Sequence, residues 1–183
     1  YYCKKKKRKK KFLIAISRLS EEKNIVYLLN AINLVRDQNF VLKILGDGDQ
    51  KIFLHKLVLK YKLSHKVKFL SYRRDVVKYL LKSDLFINTS FFEGFPNAVV
   101  EALSCNTPVI CSKSHGGIFD IIKKNEYGYL FELNKAENLS KLILKFLNND
   151  QNFIDKTKKS KDNLKRFTVE KCTRRYEQLF DKL

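Results

Sequence analysis

Short apolar runs alternate along this chain with stretches of helical periodicity, and that alternation restricts the fold more than any other feature. Residues 12–16, 40–45, 67–70, 85–88, 108–111 and 129–131 read as strands. Between them, Ile25, Leu28, Leu29, Ile32 and Val35 fall on one helical face, as do Phe53, Leu54, Leu57, Val58 and Tyr61, and then Val76, Val77, Leu80 and Leu81. A further helix is expected over 98–105, with Pro96 near its start, where a missing N–H costs little, and Asn106 as its left-handed terminator. After Phe131 the pattern is helical throughout, over 135–148, 153–166 and 168–180. Strand–helix alternation implies parallel strands with right-handed crossovers. The expected fold is therefore α/β, a doubly wound parallel sheet of about six strands with carboxyl-terminal helices. In such sheets ligands sit beyond the carboxyl ends of the strands. The loops at 17–23, 46–49, 71–75, 89–97 and 112–118 are thus the places to look for chemistry.

Composition bounds the rest. At 183 residues the chain suits one domain, read here as 12–183 preceded by a basic segment over 1–11 that is disordered or a linker remnant. It begins Tyr1-Tyr2-Cys3 and contains no Met, so we read it as a piece of a longer or processed product. No apolar run is long enough for a spanning helix, and the start does not resemble a signal peptide. Cys3, Cys105, Cys111 and Cys172 have no metal-ligand spacing and fit a reduced, cytoplasmic setting. Cys111, in an apolar strand, reads as core.

Two loops carry the chemistry. After the first strand, Arg18 and Lys23 leave a strand end and run into a helix start, where both charges and free amides can face an anion. Taken alone they also fit two ordinary surface cations. After the fourth strand, Glu93-Gly94-Phe95-Pro96-Asn97-Ala98 leads into Glu101, placing carboxylates on either side of a helix start. The amides suit a phosphate and the carboxylates suit sugar hydroxyls.

The segment from Glu93 to Glu101 resembles the Glu-x7-Glu motif of retaining nucleotide-sugar glycosyltransferases, family 4, which have the GT-B fold. Other segments follow in the family's order: residues 16–24, Ile44-Leu-Gly-Asp-Gly48, Lys68–Asp75, Asn106–Ile110 and Gly116–Ile121. The resemblance covers about residues 12–183 and is confined to the family's carboxyl-terminal, Rossmann-like donor half. It implies a hexosyltransferase-type enzyme drawing on a UDP- or GDP-sugar for polysaccharide, lipopolysaccharide or glycolipid assembly. The amino-terminal acceptor domain is absent, which would leave this half inactive alone. Carried over, the resemblance gives Arg18 and Lys23 the departing diphosphate and Glu93 the hydroxyls of the transferred sugar. These three are the catalytic residues it implies. It gives the backbone amides near Asn97 and Ala98 the phosphates, counts Gly94, Phe95 and Pro96 among the substrate-binding residues, and gives Glu101 the ribose hydroxyls and the backbone around Tyr72 and Arg73 the nucleobase. It implies no cofactor and no metal, since fixed cations and helix-end amides can stabilise the leaving group. Accordingly Gly46-Asp47-Gly48-Asp49 is read as a turn into a helix. Ser17, where the family usually has Gly, Asn106 and Phe119-Asp120 depart from its pattern. His115, beside Gly116-Gly117, reads as an exposed bystander or a donor contact.

The 38 Lys and Arg outnumber 19 Asp and Glu, a formal charge of +19. Solvated charge accounts for this, as does attraction to an anionic membrane at its inner face. With 30 Lys against 8 Arg, nucleic-acid recognition is the weakest reading. Beside the transferase stands one alternative of another class, a nucleotide-sugar-binding module without catalysis.

Overall fold

A computed structural model describes residues 10–182, so Cys3 and all but the end of the Lys4–Lys11 run lie outside the described residues. In chain order the elements begin with β1 (Lys11–Ile16), α1 (Ile25–Leu34), β2 (Phe40–Leu45), α2 (Lys51–Lys60), β3 (Val67–Leu70), α3 (Val77–Leu80) and β4 (Leu85–Asn88). There follow β5 (Phe92–Glu93), α4 (Asn97–Ser104), β6 (Val109–Ser112), β7 (His115–Gly116), α5 (Ile118–Ile122) and β8 (Tyr129–Phe131). Three helices end the chain, α6 (Ala136–Leu147), α7 (Asn152–Leu164) and α8 (Val169–Phe180).

Six strands form one sheet in the order β3-β2-β1-β4-β6-β8, every pairing parallel. This is the doubly wound α/β sheet expected. Alternate residues feed two cores. Leu13 and Ala15 of β1 face one cluster with the inner sides of α1, α2 and α6, while Ile14 faces a second with α4 and α5. Because both faces are covered, the central strands are apolar almost without interruption. Phe153 of α7 joins the first core, edge-on to Phe146 and tilted on Tyr129.

The helix ends are set locally. Asn106 takes φ 54°, as expected, with its amide on the Leu103 carbonyl and that of Thr107 on Ala102. That pair of bonds satisfies carbonyls the end of α4 would otherwise leave open. Lys62 closes α2 in the same way at φ 57°, without the amide side chain that eases this conformation in Asn. Pro108, expected in the fifth long strand, lies just outside β6, since it has no N–H to give a ladder. The helix expected at 76–81 shortens to one turn.

The sheet changes direction between β1 and β4. The chain first builds outward through β2 and β3, then returns to the other side of β1. Asp84 secures this junction: its carboxylate accepts the Phe12 amide at 2.8 Å and its own amide donates to the Phe12 carbonyl at 2.7 Å. Among the described residues, no helix is long and apolar enough to cross a membrane. α8 buries none of its side chains. Removing the fully buried Phe86 ring of β4 (Phe86→Ala) should therefore cost about 3–5 kcal/mol in urea unfolding. Phe180→Ala, on α8, should change stability by less than about 0.5 kcal/mol.

Candidate functional site

Where β1 and β4 diverge, the loop after β4 is tied by hydrogen bonds to backbone carbonyls of the loop after β1. The Phe91 amide donates to the Glu22 carbonyl (2.8 Å) and Thr89 Oγ1 to the Lys23 carbonyl (3.0 Å). Lys23 ends a 3-10 turn, Glu21–Lys23, and the next residue, Asn24, takes φ 50° and caps α1 by accepting the Tyr27 amide. These contacts aim Lys23 at Glu93, and their charged atoms meet at 3.1 Å.

Glu93 stands on β5 rather than in the loop the sequence suggested. β5 pairs in parallel with β7, a two-stranded ladder that periodicity cannot reveal in segments so short. Its Oε1 accepts from Ser90 Oγ (2.6 Å) and Asn88 Nδ2 (3.1 Å), and its Oε2 faces Lys23. Ser112 supports this pair from β6, donating to the Ser90 carbonyl at 2.6 Å. The side chains of Lys23 and Glu93 are only 19% and 13% exposed, so their attraction is less screened than that of a surface pair. Beneath them Cys111 is fully buried, and burial, with the charge of Glu93, holds its thiol far above the ordinary range. It stays protonated and is core, as read from the sequence.

Next to the pair lies a cleft of about 500 Å³ at the carboxyl ends of β1, β2 and β3. Arg18, Tyr72 and Arg73 line it together with Ser17, Gly46 and Asp47. Three of the residues singled out in the sequence thus share one cavity. Ser17 also borders the small gap that Lys23, Asn88 and Ser90 line, so it joins the two halves of the site. Its buried Oγ has no hydrogen-bond partner.

Asp47, read only as part of a turn, has a further task. Its carboxylate accepts the Tyr72 amide (2.7 Å) and the Lys51 ammonium (2.5 Å), tying the loop after β2 to the loop after β3. The hydrogen bond from Lys51, then that from Tyr72, hold its pKa below the usual carboxylate range. The turn itself packs on the β1 loop: a Cβ at Gly46, whose φ is +143°, would lie 1.8 Å from the Ser17 carbonyl oxygen.

The remaining expected residues are distributed around α4. Gly94 accepts the Gly117 amide at 2.9 Å, and the Phe95 ring meets Phe167 edge-on at 5.2 Å. Pro96 is buried at the N-cap of α4 and Ala98 is half-buried on its first turn. The Asn97 amide, expected to face a phosphate, donates to the Phe95 carbonyl at 3.0 Å, a tight turn that must open to release it. Glu101 is half-buried on α4 and lies outside the residues lining the 500 Å³ cleft. His115 is exposed on β7, opposite Phe92. Asn88, Ser90, Ser112 and Asp47 were missed as site residues. The polar run Asn88-Thr89-Ser90 closing an apolar strand was the sequence signal for Asn88 and Ser90.

A family model described as glycosyl transferases group 1 matches residues 4–166. The chain belongs to that family. It is 30% identical over 166 residues to N-acetylgalactosamine-N,N'-diacetylbacillosaminyl-diphospho-undecaprenol 4-alpha-N-acetylgalactosaminyltransferase of Campylobacter jejuni, covering 91% of this chain and 45% of that protein. It is 26% identical over 172 residues to N-acetyl-alpha-D-glucosaminyl L-malate synthase of Bacillus anthracis, covering 93% and 45%. The chain thus spans less than half the length of these relatives. Among solved structures, TarM of S. aureus superposes with a TM-score of 0.87 at 26% identity over 98% of this chain and 37% of its own. Anabaena Alr3699/HepE, solved with UDP-glucose, superposes at 0.86 and 24% identity over 96% and 50%, a likeness of fold. The group 1 glycosyltransferase domain and its GT-B, Rossmann-like architecture stand as the sequence led us to expect.

Two predictions follow from this geometry. A Cβ at Gly116, whose φ is +107°, would lie 1.7 Å from the Glu93 carbonyl oxygen, whereas one at Gly94 would meet nothing within 4 Å. Gly116→Ala should cost about 2–4 kcal/mol in chemical unfolding and Gly94→Ala much less. The tether at Asp47 has a definite pH sense. A carboxylate depressed on folding adds stability above its unfolded pKa and loses it as pH falls through the folded value. Hydrogen exchange at the Tyr72 amide, corrected for intrinsic rates, should lose protection as the solution is acidified below the ordinary carboxylate range, and Asp47→Asn should lower that protection at neutral pH.

Proposed function

We propose that this domain is the donor-binding, carboxyl-terminal half of a retaining, family 4 glycosyltransferase, and that it takes a UDP- or GDP-sugar. The observation that carries the reading is the Lys23–Glu93 contact across the β1/β4 junction, beside a cleft large enough for a nucleoside. The nucleobase enters the cleft at Tyr72 and Arg73, and the ribose leaves it on the side toward Glu101. The diphosphate crosses the rim at Ser17 and Arg18, and the sugar reaches Glu93. Breaking the bond from the anomeric carbon to the diphosphate leaves positive charge on the sugar and negative charge on the departing phosphate. Arg18 and Lys23 stabilise the phosphate, and Glu93, held on Asn88 and Ser90, orients the sugar hydroxyls.

In this scheme Lys23 exchanges Glu93 for a phosphate oxygen when the donor arrives. The exchange frees Glu93 Oε2 to accept from the sugar at the moment the leaving group is neutralised. Fixed cations take the place of a metal, and Glu101 serves the ribose. The acceptor and its binding groups belong to a second, amino-terminal half, and the work takes place in the cytoplasm. The relatives' names, one for transfer to a diphospho-undecaprenol glycan and one for an L-malate synthase, support sugar transfer in general and differ too much to name the acceptor.

A second reading is favoured by the 45% span: the chain alone binds a nucleotide-sugar without transferring it. Calorimetry with UDP-, GDP- and ADP-sugars, run beside a turnover assay on the 183-residue chain, separates the two. In an intact transferase carrying this domain, Arg18→Ala and Glu93→Gln should each lower turnover about 100- to 1,000-fold, and EDTA should leave the rate unchanged. Near-normal rates in both variants would remove the site assignment. A product with inverted anomeric configuration would remove the retaining mechanism.

A further inference from the structure

Leu54 and Val58 bury one side of α2, and the opposite side carries Ile52, Lys56 and Leu59 in a line, with Phe53 and Lys60 beside them. Ile52, Phe53 and Leu59 are 72%, 53% and 66% exposed. This apolar strip lies in the longest acid-free stretch of that region. From Gln50 to Arg74 the chain has eight Lys and Arg and no Asp or Glu. At the carboxyl end of α2, a groove of about 440 Å³ between α1 and α2 is lined by Arg36, Lys60, Lys62 and His65, with Asp37 its single carboxylate. Leu34, at the end of α1, adds another exposed apolar side chain near it.

We propose that this face of α2 is a docking surface for a bilayer containing anionic phospholipid. Ile52, Phe53 and Leu59 enter the boundary between headgroups and acyl chains, while Lys56, Lys60 and the basic groove hold lipid phosphates. Charge decides among the occupants. A second copy would bring the same cationic strip against this one and repel it. A protein interface is depleted of Lys where it is apolar, and here the two alternate along one helix. Nucleic acid has no use for exposed Ile and Leu in such a strip, since its backbone is read by charge and its bases by stacking. The apolar side of α8 differs in kind, because Glu170, Glu177 and Asp181 stand among its exposed residues. None of the α2 side chains named belongs to the sugar-transfer site, so the surface stands or falls apart from it.

The chain contains no Trp, so Ile52→Trp places a single reporter on the strip. Its emission should shift to the blue with phosphatidylcholine vesicles containing phosphatidylglycerol and stay unchanged with phosphatidylcholine alone. In co-sedimentation, Lys56→Glu/Lys60→Glu should lower partitioning to the anionic vesicles at least about tenfold. Ile52→Ser/Leu59→Ser should leave the residual binding far more sensitive to salt. The Lys4–Lys11 run is present in every variant, so the differences report α2 alone, and unfolding curves close to that of the parent chain verify each fold. Three results would overturn the proposal: unshifted Trp emission on anionic vesicles, equal partitioning of the charge-reversed variant, or saturable oligonucleotide binding through the same lysines without vesicle binding.

Discussion

The contact between Lys23 and Glu93 is the interaction on which the functional half of this structure turns. It spans the one place where a doubly wound sheet reverses its order, and it exists because bonds from the Thr89 hydroxyl and the Phe91 amide draw the loops after β4 and β1 together. Removing two charges from water is costly, and their mutual attraction compensates only when the other lone pairs are also satisfied. Here Asn88 and Ser90 complete Glu93, and Ser112 holds Ser90 from the neighbouring strand. The pair is therefore stable enough to be defined and open enough for an anion to compete for the lysine.

Backbone proximity builds the other half. The Gly46 turn presses on the Ser17 carbonyl, and Asp47 then reaches across to the amide of Tyr72. One carboxylate thus sets the width of the cleft between two loops that have no secondary structure of their own. Gly116 does the equivalent for the β5/β7 ladder, bringing the chain so near Glu93 that no side chain fits between them. Rigid strands supply the framework, and a few short-range polar contacts place the loops on it.

The site and the α2 surface draw on charge in different ways. At the site, cations are few: Lys23 is half-buried and matched to Glu93, while Arg18 and Arg73 stand exposed along the cleft. Along the outer face of α2, Lys56 and Lys60 are exposed to solvent in a stretch of sequence without acids, and the apolar groups between them are too exposed to contribute to the fold. A formal charge of +19 conceals this division, because net charge says nothing about which cations have partners.

Much of the architecture was legible from the sequence, because strands covered on both faces must be apolar and the helices between them must keep one apolar stripe. The six long strands, the order of the motifs, the left-handed Asn106 and the core position of Cys111 all follow from such local rules. Arg18, Lys23 and Glu93 could be named because loops after parallel strands collect at one rim. The sequence by itself determined which residues stand at that rim. Only the tertiary structure decided which of them touch: that Lys23 pairs with Glu93, that Asp47 clamps Tyr72, and that two-residue strands carry Glu93 and His115. Those are contacts across 25 to 70 positions or in segments too short for any period, and their geometry is set by how the sheet twists and closes rather than by neighbours along the chain.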